Sequence, residues 1–378
     1  MTASIFNQAA QVIRLTQAGT PADAALRETL GRTRHSSAPA ARREISRAVF
    51  CYFRWLRWLE TKESLQKQVA AALDLQTRFD RHPASFKTET LAARAVPDWL
   101  KEEMETSEAW LRQLQAEPAL WIRAKGAEAA KVASGLGDCT PAPASAHCSA
   151  PAAYRYSGTR DLFLTPEFKA GLFEIQDLAS QLVGHACTPQ PGQTWWDACA
   201  GEGGKTLHLA DLMQNRGLIW SSDRSLRRLA KLKERAARAR VFNYRAAAWD
   251  GGPRLPTKTR FDGILIDAPC SGVGTWQRNP HARWTTQAKD VGELAAVQQR
   301  LLDHAAPALK PGGRLVYAVC TLTRAETTAV AEAFSSTHPD FEPVAVFPTS
   351  DPGPRSAVFL WPQEHNSNGM FIAAWRKK

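Results

Sequence analysis

Apolar residues recur at three- and four-residue steps through the first hundred positions, where glycine and β-branched runs are scarce. The pattern is clearest in PAARREISRAVFCYFRWLRWLE. There Ile45, Val49, Phe53 and Leu56 mark one face, and Arg43, Arg47, Arg54 and Arg57 alternate with the aromatics. This spacing predicts a helix whose apolar stripe meets a core. The arginines offer phosphate contacts, although nothing local requires them. MTASIFNQAAQVIRLTQAGT also keeps helical spacing and lacks the continuous apolar core and small-residue cleavage site of a secretory leader. VPDWLKEEMETSEAWLRQLQ adds a helix opened by Pro97, with Asp98 as a capping candidate. EPALWIRAKG then reads as a strand and AEAAKVASGL as a helix. DCTPAPASAHCSAPAA, rich in proline, alanine and serine, reads as a loop inside a small α+β module.

From Tyr154 the texture changes. FKAGLFEIQDLASQLVGHA is expected to form one amphipathic helix. After it, strand-like TWWDACA, GLIWSSD, VFNYRAAAWD, FDGILIDAPC and GRLVYAVC are separated by helix-like GKTLHLADLMQ, RSLRRLAKLKERAARA and GELAAVQQRLLDHAAPAL. Such alternation predicts an α/β fold, a parallel sheet covered by helices on both faces. The helix RSLRRLAKLKERAARAR puts Arg224, Arg228, Lys231, Arg235 and Arg238 on one face. A solvated face is expected there, with RNA backbone contact second.

Composition narrows this picture. Hydrophobic residues make up 44% of 378, and the longest apolar runs are strand-length, too short to cross a bilayer. A soluble, cytoplasmic protein without a membrane partner is expected. The net charge of +11 favours a polyanionic partner such as nucleic acid without establishing one. The seven cysteines, at 51, 139, 148, 187, 199, 270 and 320, are odd in number, show no CxxC spacing and have no histidine cluster beside them. That argues against a disulfide framework and against a metal site. These are reduced thiols whose interest lies in individual reactivity.

In a parallel sheet, ligands sit at the carboxyl ends of the strands. DACAGEGGKT follows the first strand, where glycines allow close backbone approach and the next helix offers its first N–H groups. A phosphate-cradling P-loop needs GxxxxGK[ST], but Cys199 stands at the leading glycine. A dinucleotide fingerprint needs GxGxxG, but Thr206 stands at the third glycine. S-adenosylmethionine, which has no pyrophosphate, suits Asp197-x-x-x-Gly201-x-Gly203. Asp223 ends the next strand, about twenty residues on, where an acid can hold both ribose hydroxyls. Asp250, after the third strand, is placed to face an adenine edge. Each acid alone is more often a cap or a solvated loop end; three at successive strand ends are harder to dismiss.

Two cysteines occupy the same kind of place. Cys270 follows the strand FDGILID through Ala268 and Pro269, and Cys320 follows GRLVYAV. A lone cysteine after a strand is usually a small apolar filler. Here both thiols and Asp267 are expected to converge beside a methyl donor. One chemistry that needs this set is alkylation of a ring carbon that is a poor nucleophile, such as carbon 5 of cytosine. A thiolate adding to carbon 6 loads carbon 5 with electron density, an acid near ring nitrogen 3 stabilises the adduct, and a base later removes the carbon 5 proton.

With these residues, the chain resembles the RsmB/Sun (Nop-type) family of RNA cytosine-5 methyltransferases. FKAGLFEIQDLASQLV, DACAGEGGKT, SSD, FDGILIDAPCSGVGTWQRNPHARW, KPGGRLVYAVCTLTRAET and LWPQEHNSNGMFIAAWRKK carry the resemblance, in family order, over roughly residues 154–378. It implies a Rossmann-like methyltransferase sheet with S-adenosylmethionine as cofactor and a Cys320 nucleophile. It further implies that Cys270 assists release of the methylated base and that Asp267 contacts both cofactor and cytosine. Cys199, Ala200, Gly201, Glu202, Gly203, Gly204 and Lys205, with Asp223, Asp250 and Asp267, would line the cofactor site; Lys205 and Arg278 would touch the RNA or target base. The first part of the chain is similar to a NusB-like helical RNA-binding domain, and PALWIRAKG looks like the start of a ferredoxin-like module. The implied division is residues 1–95 helical, 96–153 ferredoxin-like and 154–378 catalytic.

The chain departs from the family pattern in three places. Gly201-Glu202 stands where Ala-Pro is usual, and a buried glutamate there would need a partner. Val319-Cys320-Thr321 replaces Thr-Cys-Ser, and His281 replaces a common aspartate. The expected substrate is 16S ribosomal RNA, with transfer RNA as the alternative, and the expected state is a monomer. A non-catalytic ribosome-assembly factor and a P-loop ATPase acting on RNA are the rival readings.

Overall fold

The computed structural model describes residues 2–32, 38–143, 150–347 and 355–378, and counts below refer to these. Cys148 and residues 144–149 of the Pro/Ala/Ser-rich loop lie outside them. Inter-residue contacts divide the chain into two units. One holds Met1–Pro118 with Thr275–Gln287, and the other holds Ala119–Gly274 with Ala288–Lys378. The helical unit therefore runs to Pro118 rather than to residue 95, and it takes in a short segment from far down the chain.

The second unit opens with a four-stranded antiparallel sheet: β1 (Leu120–Ala124), β2 (Cys139–Pro141), β3 (Ala153–Tyr156) and β4 (Phe173–Ile175), in spatial order β2-β3-β1-β4. Helices Ala129–Leu136 and Pro166–Lys169 lie between β1 and β2 and between β3 and β4, the connectivity of the split βαβ motif. The single helix expected over FKAGLFEIQDLASQLVGHA is thus corrected. It divides into Pro166–Lys169, β4, and a helix at Leu178–Cys187. Gly171 has φ +71°, and a Cβ there would stand 2.1 Å from the Arg238 carbonyl oxygen, so the chain must turn at glycine. Asp177 then starts the next helix by accepting from the Ala179 N–H at 3.0 Å.

The larger sheet contains β5 (Thr194–Asp197), β6 (Leu218–Asp223), β7 (Tyr244–Ala248), β8 (Phe261–Asp267), β9 (Leu309–Val319), β10 (Phe341–Pro343), β11 (Ala357–Leu360) and β12 (Met370–Lys377). Its order is β10-β12-β9-β8-β5-β6-β7, with β11 on β12. The run β9-β8-β5-β6-β7 is parallel, and β12 closes antiparallel on β9. The expected parallel sheet is therefore mixed at one edge. Both faces are covered. Trp195, Leu265, Val316 and Ala318 pack with Leu182, Leu207 and Leu232 on one side. Trp196, Ile264, Ile266, Leu315, Tyr317 and Val319 pack with Leu302 and Phe334 on the other. This two-sided burial explains why the strands read as near-continuous apolar runs. After β5 the chain winds outward to β6 and β7, then returns to β8 on the other side of β5. The crevice at the carboxyl ends of β5 and β8 is the topological switch point.

The basic helix Leu226–Arg238 is not the plain solvated face expected. Arg235 and Arg238 both donate to Glu174 on β4, a carboxylate only 6% exposed, and Arg228 donates to Asp223. A buried carboxylate holds its charge only with such partners, and the helix supplies them.

In the first unit, helices Ala3–Gln17, Ala22–Arg32, Pro39–Arg54, Leu65–Arg81, Thr88–Arg94 and Glu108–Gln115 carry the core. The single helix expected from Pro97 is corrected: Asp98–Glu102 is a short 3-10 turn, and the α-helix starts only at Glu108, capped by Ser107 rather than Asp98. Arg54, read as a candidate phosphate contact, is instead buried, donating to Gln76 Oε1 at 3.0 Å and to the Gln277 carbonyl at 3.4 Å. Arg57 donates to the Val96 carbonyl and lies over the Trp284 ring. His281 packs edge-on against Phe53, with 4.9 Å between ring centres. Arg283, fully buried, donates to the carbonyls of Leu114 (2.6 Å), Ala95 (3.2 Å) and Trp276 (3.3 Å) and to Gln115 Oε1 (3.3 Å). Burial first, and then the charge of Arg54, lowers its pKa well below the usual guanidinium value.

Removing the guanidinium takes a buried donor from four acceptors at once. Arg283→Met should lower unfolding stability by about 3 kcal/mol, and Arg283→Lys should recover little because it lacks the planar fork. Urea denaturation of the full chain measures both; an unchanged midpoint for Arg283→Met would show that the cluster carries no such weight.

Candidate active site

The carboxyl ends of β5, β6, β8 and β9 shape the crevice. In the loop after β5, Ala198 N–H donates to the Leu265 carbonyl at 2.9 Å and Ala200 N–H to the Ser222 carbonyl at 2.8 Å, so the loop is tied to both flanking strands. Gly201 and Gly203 have φ +56° and +87°, and a Cβ on Gly203 would stand 2.6 Å from Leu232 Cγ. The glycines are thus required by backbone conformation and by packing. The helix Gly204–Leu212 starts directly after them.

A cavity of about 290 Å³ opens at this place, lined among others by Cys199, Asp223, Asp250, Asp267, Cys270 and Cys320. All three acids at strand ends and both post-strand cysteines therefore share one crevice. Asp223 accepts from Gly201 N–H (3.0 Å), Ser225 N–H (2.8 Å) and Arg228 (3.2 Å). Asp250 accepts from Gly252 N–H at 2.8 Å, a tight local turn, while lining the cavity. Asp267 receives Lys205 Nζ at 2.6 Å, and Lys205 also donates to Ser180 Oγ at 3.0 Å. Burial would lower the Lys205 pKa, but the charge and hydrogen bond of Asp267, with Cys320 and Asp197 adding to them, leave it raised. The ammonium stays charged in the site.

Asp267 lies opposite Ala318 in the parallel β8–β9 pairing. Cys270 and Cys320 leave the sheet side by side, and their Sγ atoms are 3.3 Å apart. Both are half-buried and outside any disulfide. The hydrogen bond with Cys320 raises the Cys270 pKa well above the usual thiol value, with burial and the charges of Cys320 and Glu326 acting in the same direction. Cys199 is also pushed up, by burial first and then by Asp197, Asp267 and Asp223. It remains a protonated wall of the cavity. Asp197 is fully buried; its Oδ2 accepts from Thr206 Oγ1 at 2.7 Å, and its Oδ1 has no protein partner.

Other expected site residues are placed differently. The Glu202 side chain is exposed and is not among the cavity-lining residues, which corrects the expectation of a buried glutamate in need of a partner; its backbone carbonyl accepts from Arg235. Ala200, Gly201, Gly203 and Gly204 act through backbone shape rather than as side-chain walls. Arg278 belongs to the other unit, where its side chain is exposed. Sequence reasoning missed Arg228 on Asp223, Ser180 on Lys205, Trp249 and Leu301 in the cavity wall, and Glu326 behind the Cys270 turn. An arginine one turn into the helix after Asp223 was the available signal for the first; the others carry no local pattern.

The residues suit S-adenosylmethionine. Asp223 and Asp250 line the cavity at the strand ends, the glycine loop keeps side chains away, and the wall has apolar Trp249 and Leu301, surfaces that fit a ribose and an adenine ring. The sequence model of a family described as 16S rRNA methyltransferase RsmB/F matches residues 185–376. The chain is 34% identical over 302 residues to a probable ribosomal RNA small subunit methyltransferase B of Synechocystis sp., covering 75% of this chain and 67% of that protein. It is 37% identical over 219 residues to the probable ribosomal RNA small subunit methyltransferase B of Bacillus subtilis, covering 56% of this chain and 49% of that one. The match thus spans two thirds of the first relative and about half of the second. The crystal structure of PH0851 superposes with a TM-score of 0.80 over 100% of this chain and 99% of its own, at 22% identity, a likeness of fold.

The Asp197 carboxyl is raised from 3.8 to about 7 by burial, opposed by the Thr206 hydrogen bond, raised further by Asp267, opposed by Lys205 and raised by Asp223. Between those values the folded chain holds a proton that the unfolded chain has released. The contribution to stability is complete below the unfolded value and is lost as pH rises through the folded one. Asp197→Asn keeps an oxygen acceptor for Thr206 and cannot ionise. Its thermal midpoint should gain on wild type as the buffer moves from about pH 5 to about pH 8; a gap that stays constant over that range would refute the assignment.

Proposed function

Because the chain belongs to the RsmB/F family of 16S rRNA methyltransferases, we infer that it methylates carbon 5 of a cytosine in small-subunit ribosomal RNA by a two-cysteine covalent route. The observation that carries the reading is the pair of sulfurs 3.3 Å apart on the wall of a cavity that also holds Asp223, Asp250 and Asp267. S-adenosylmethionine is the cofactor; when bound, it supplies an electrophilic methyl on sulfur, which carbon 5 of an activated cytosine can accept. Asp223, Asp250 and the backbone around Gly201 would hold it.

The chain's own residues do the rest. A cytosine in folded RNA must first be unstacked and turned into the crevice. The Cys320 thiolate forms a bond to carbon 6, and the displaced electron pair moves toward carbon 5 and ring nitrogen 3. Asp267, held by Lys205, is placed to bind the edge of the ring and steady that charge. After carbon 5 is alkylated, transfer of its proton to solvent water returns an electron pair to the ring double bond, and the carbon–sulfur bond breaks with its pair staying on the Cys320 sulfur. Cys270, its pKa raised and its sulfur next to Cys320, is a protonated thiol that can donate to the departing sulfur. Release of the base thus depends on Cys270, and formation of the adduct on Cys320.

Cys320→Ala should abolish methyl transfer while S-adenosylhomocysteine binding, read by calorimetry, stays within about twofold of wild type. Cys270→Ala should instead leave protein covalently attached to RNA on a denaturing gel. No adduct under conditions where wild type turns over would sink the two-thiol route. Bisulfite sequencing of RNA from a deletion strain should show one small-subunit cytosine losing protection; loss in a transfer RNA would move the substrate there.

A further inference from the structure

Glu326 lies behind the Cys270 turn, fully buried at the end of the short helical turn Arg324–Glu326. Four neutral groups donate to it. Ser271 N–H and Gln298 Nε2 reach Oε1, each at 2.9 Å, and Thr323 Oγ1 at 2.9 Å and Ser271 Oγ reach Oε2. Two of the four bonds come from the residue immediately after Cys270. Gln298 Nε2 also donates to the carbonyl of Pro269, the residue immediately before it, at 2.9 Å. Both neighbours of the thiol are therefore held by one carboxylate and one amide. The amide is fixed in turn, because the single Tyr317 hydroxyl hydrogen is shared between Gln298 Oε1 at 2.9 Å and the Glu326 carbonyl at 2.7 Å.

The same network reaches the other cysteine. Ser271 gives its hydroxyl hydrogen to Glu326, which leaves its lone pairs for Thr321 Oγ1 at 2.9 Å. Thr321 directly follows Cys320. A buried carboxylate answered by four donors is satisfied without a cation, and such a fully connected network is rigid. It reaches Pro269, Ser271 and Thr321, the residues flanking the two thiols, so it fixes where the sulfurs stand without bonding to the sulfurs themselves.

We propose that Glu326 is the positioning residue that holds the Cys270 turn against Cys320, so that base release, more than adduct formation, depends on it; this rests on the two-cysteine route above. Displacement of a reacting group by about 1 Å can cost on the order of a hundredfold in rate. Cys320 directly follows Val319, the last paired residue of β9, whereas Cys270 sits three residues beyond the end of β8 and depends on the network.

The test uses the full chain and small-subunit ribosomal RNA from cells lacking the enzyme. With Glu326→Ala, single-turnover methylation should stay within about threefold of wild type, while the covalent protein–RNA adduct decays about tenfold more slowly or worse. Glu326→Gln keeps the oxygen that receives Ser271 N–H and Gln298, and should restore most of the release rate. Ser271→Ala, which removes only the hydroxyl bonds, should show a smaller delay of the same kind and serves if Glu326→Ala does not fold. Wild-type adduct decay in Glu326→Ala and Ser271→Ala would overturn the proposal, as would equal losses in methylation, adduct decay and S-adenosylhomocysteine binding. An adduct trapped by Cys270→Ala but not by Glu326→Ala would sink this inference alone; no adduct in Cys270→Ala would sink the route beneath it.

Discussion

The parallel pairing of β8 with β9 is the constraint on which the site depends. Asp267 lies opposite Ala318, and parallel strands end at the same edge of a sheet, so the residues just beyond them leave together. Nothing in either cysteine motif alone brings one sulfur to the other. A slip of one residue would turn every side chain of β9 to the wrong face. Val316 and Ala318 pack on one side of the sheet, and Leu315, Tyr317 and Val319 on the other. Both sides are well filled, so the apolar core enforces the register and with it the distance between the thiols.

Around that pair the charges are unequally shared. Glu326 bears on Cys270, whereas Lys205 lies in the field of Asp267 and Cys320. Two chemically identical side chains at one strand edge are thereby given different surroundings, a carboxylate behind one and an ammonium toward the other. A nucleophile is favoured by nearby positive charge, and a thiol that must keep its proton is favoured by nearby negative charge. The division of roles proposed for Cys320 and Cys270 follows the direction of that asymmetry.

The strands, their order of appearance and the crevice they form were legible because each strand is an apolar run buried on both sides and each is followed by an amphipathic helix. The two thiols were legible because both follow such runs. Glu326 was not, since its meaning lies in contacts with Ser271 and Gln298, 55 and 28 residues away in the chain. The division of FKAGLFEIQDLASQLVGHA was hidden for a different reason. Its periodicity is compatible with a continuous helix, and only pairing of Phe173–Ile175 with β1 decides for a strand. Arg54 and Arg283 show the same limit: charge in a sequence suggests a surface, and only the tertiary structure shows guanidinium groups placed among backbone carbonyls.

The departure from the family pattern at Gly201-Glu202 finds its physical counterpart in Arg228. A Cβ on Gly201 would stand 2.5 Å from Arg228 Nη2, so glycine opens the space in which that guanidinium rests against Asp223. Arg228 is the far end of a flexible side chain and half exposed, so a residue with a Cβ could displace it outward. The φ of +56° at Gly201 imposes a second condition, since that left-handed conformation is readily adopted by glycine and costs most other residues free energy. A proline at 202 would also remove a backbone N–H, while the glutamate present keeps its side chain in solvent. The substitution at 201 therefore changes the immediate neighbour of the acid proposed to hold the ribose. Asp223 is screened by the Arg228 guanidinium, which in the proposed role would share it with, or yield it to, the cofactor's hydroxyls. Loop shape and ribose recognition would then be coupled through one arginine rather than set independently.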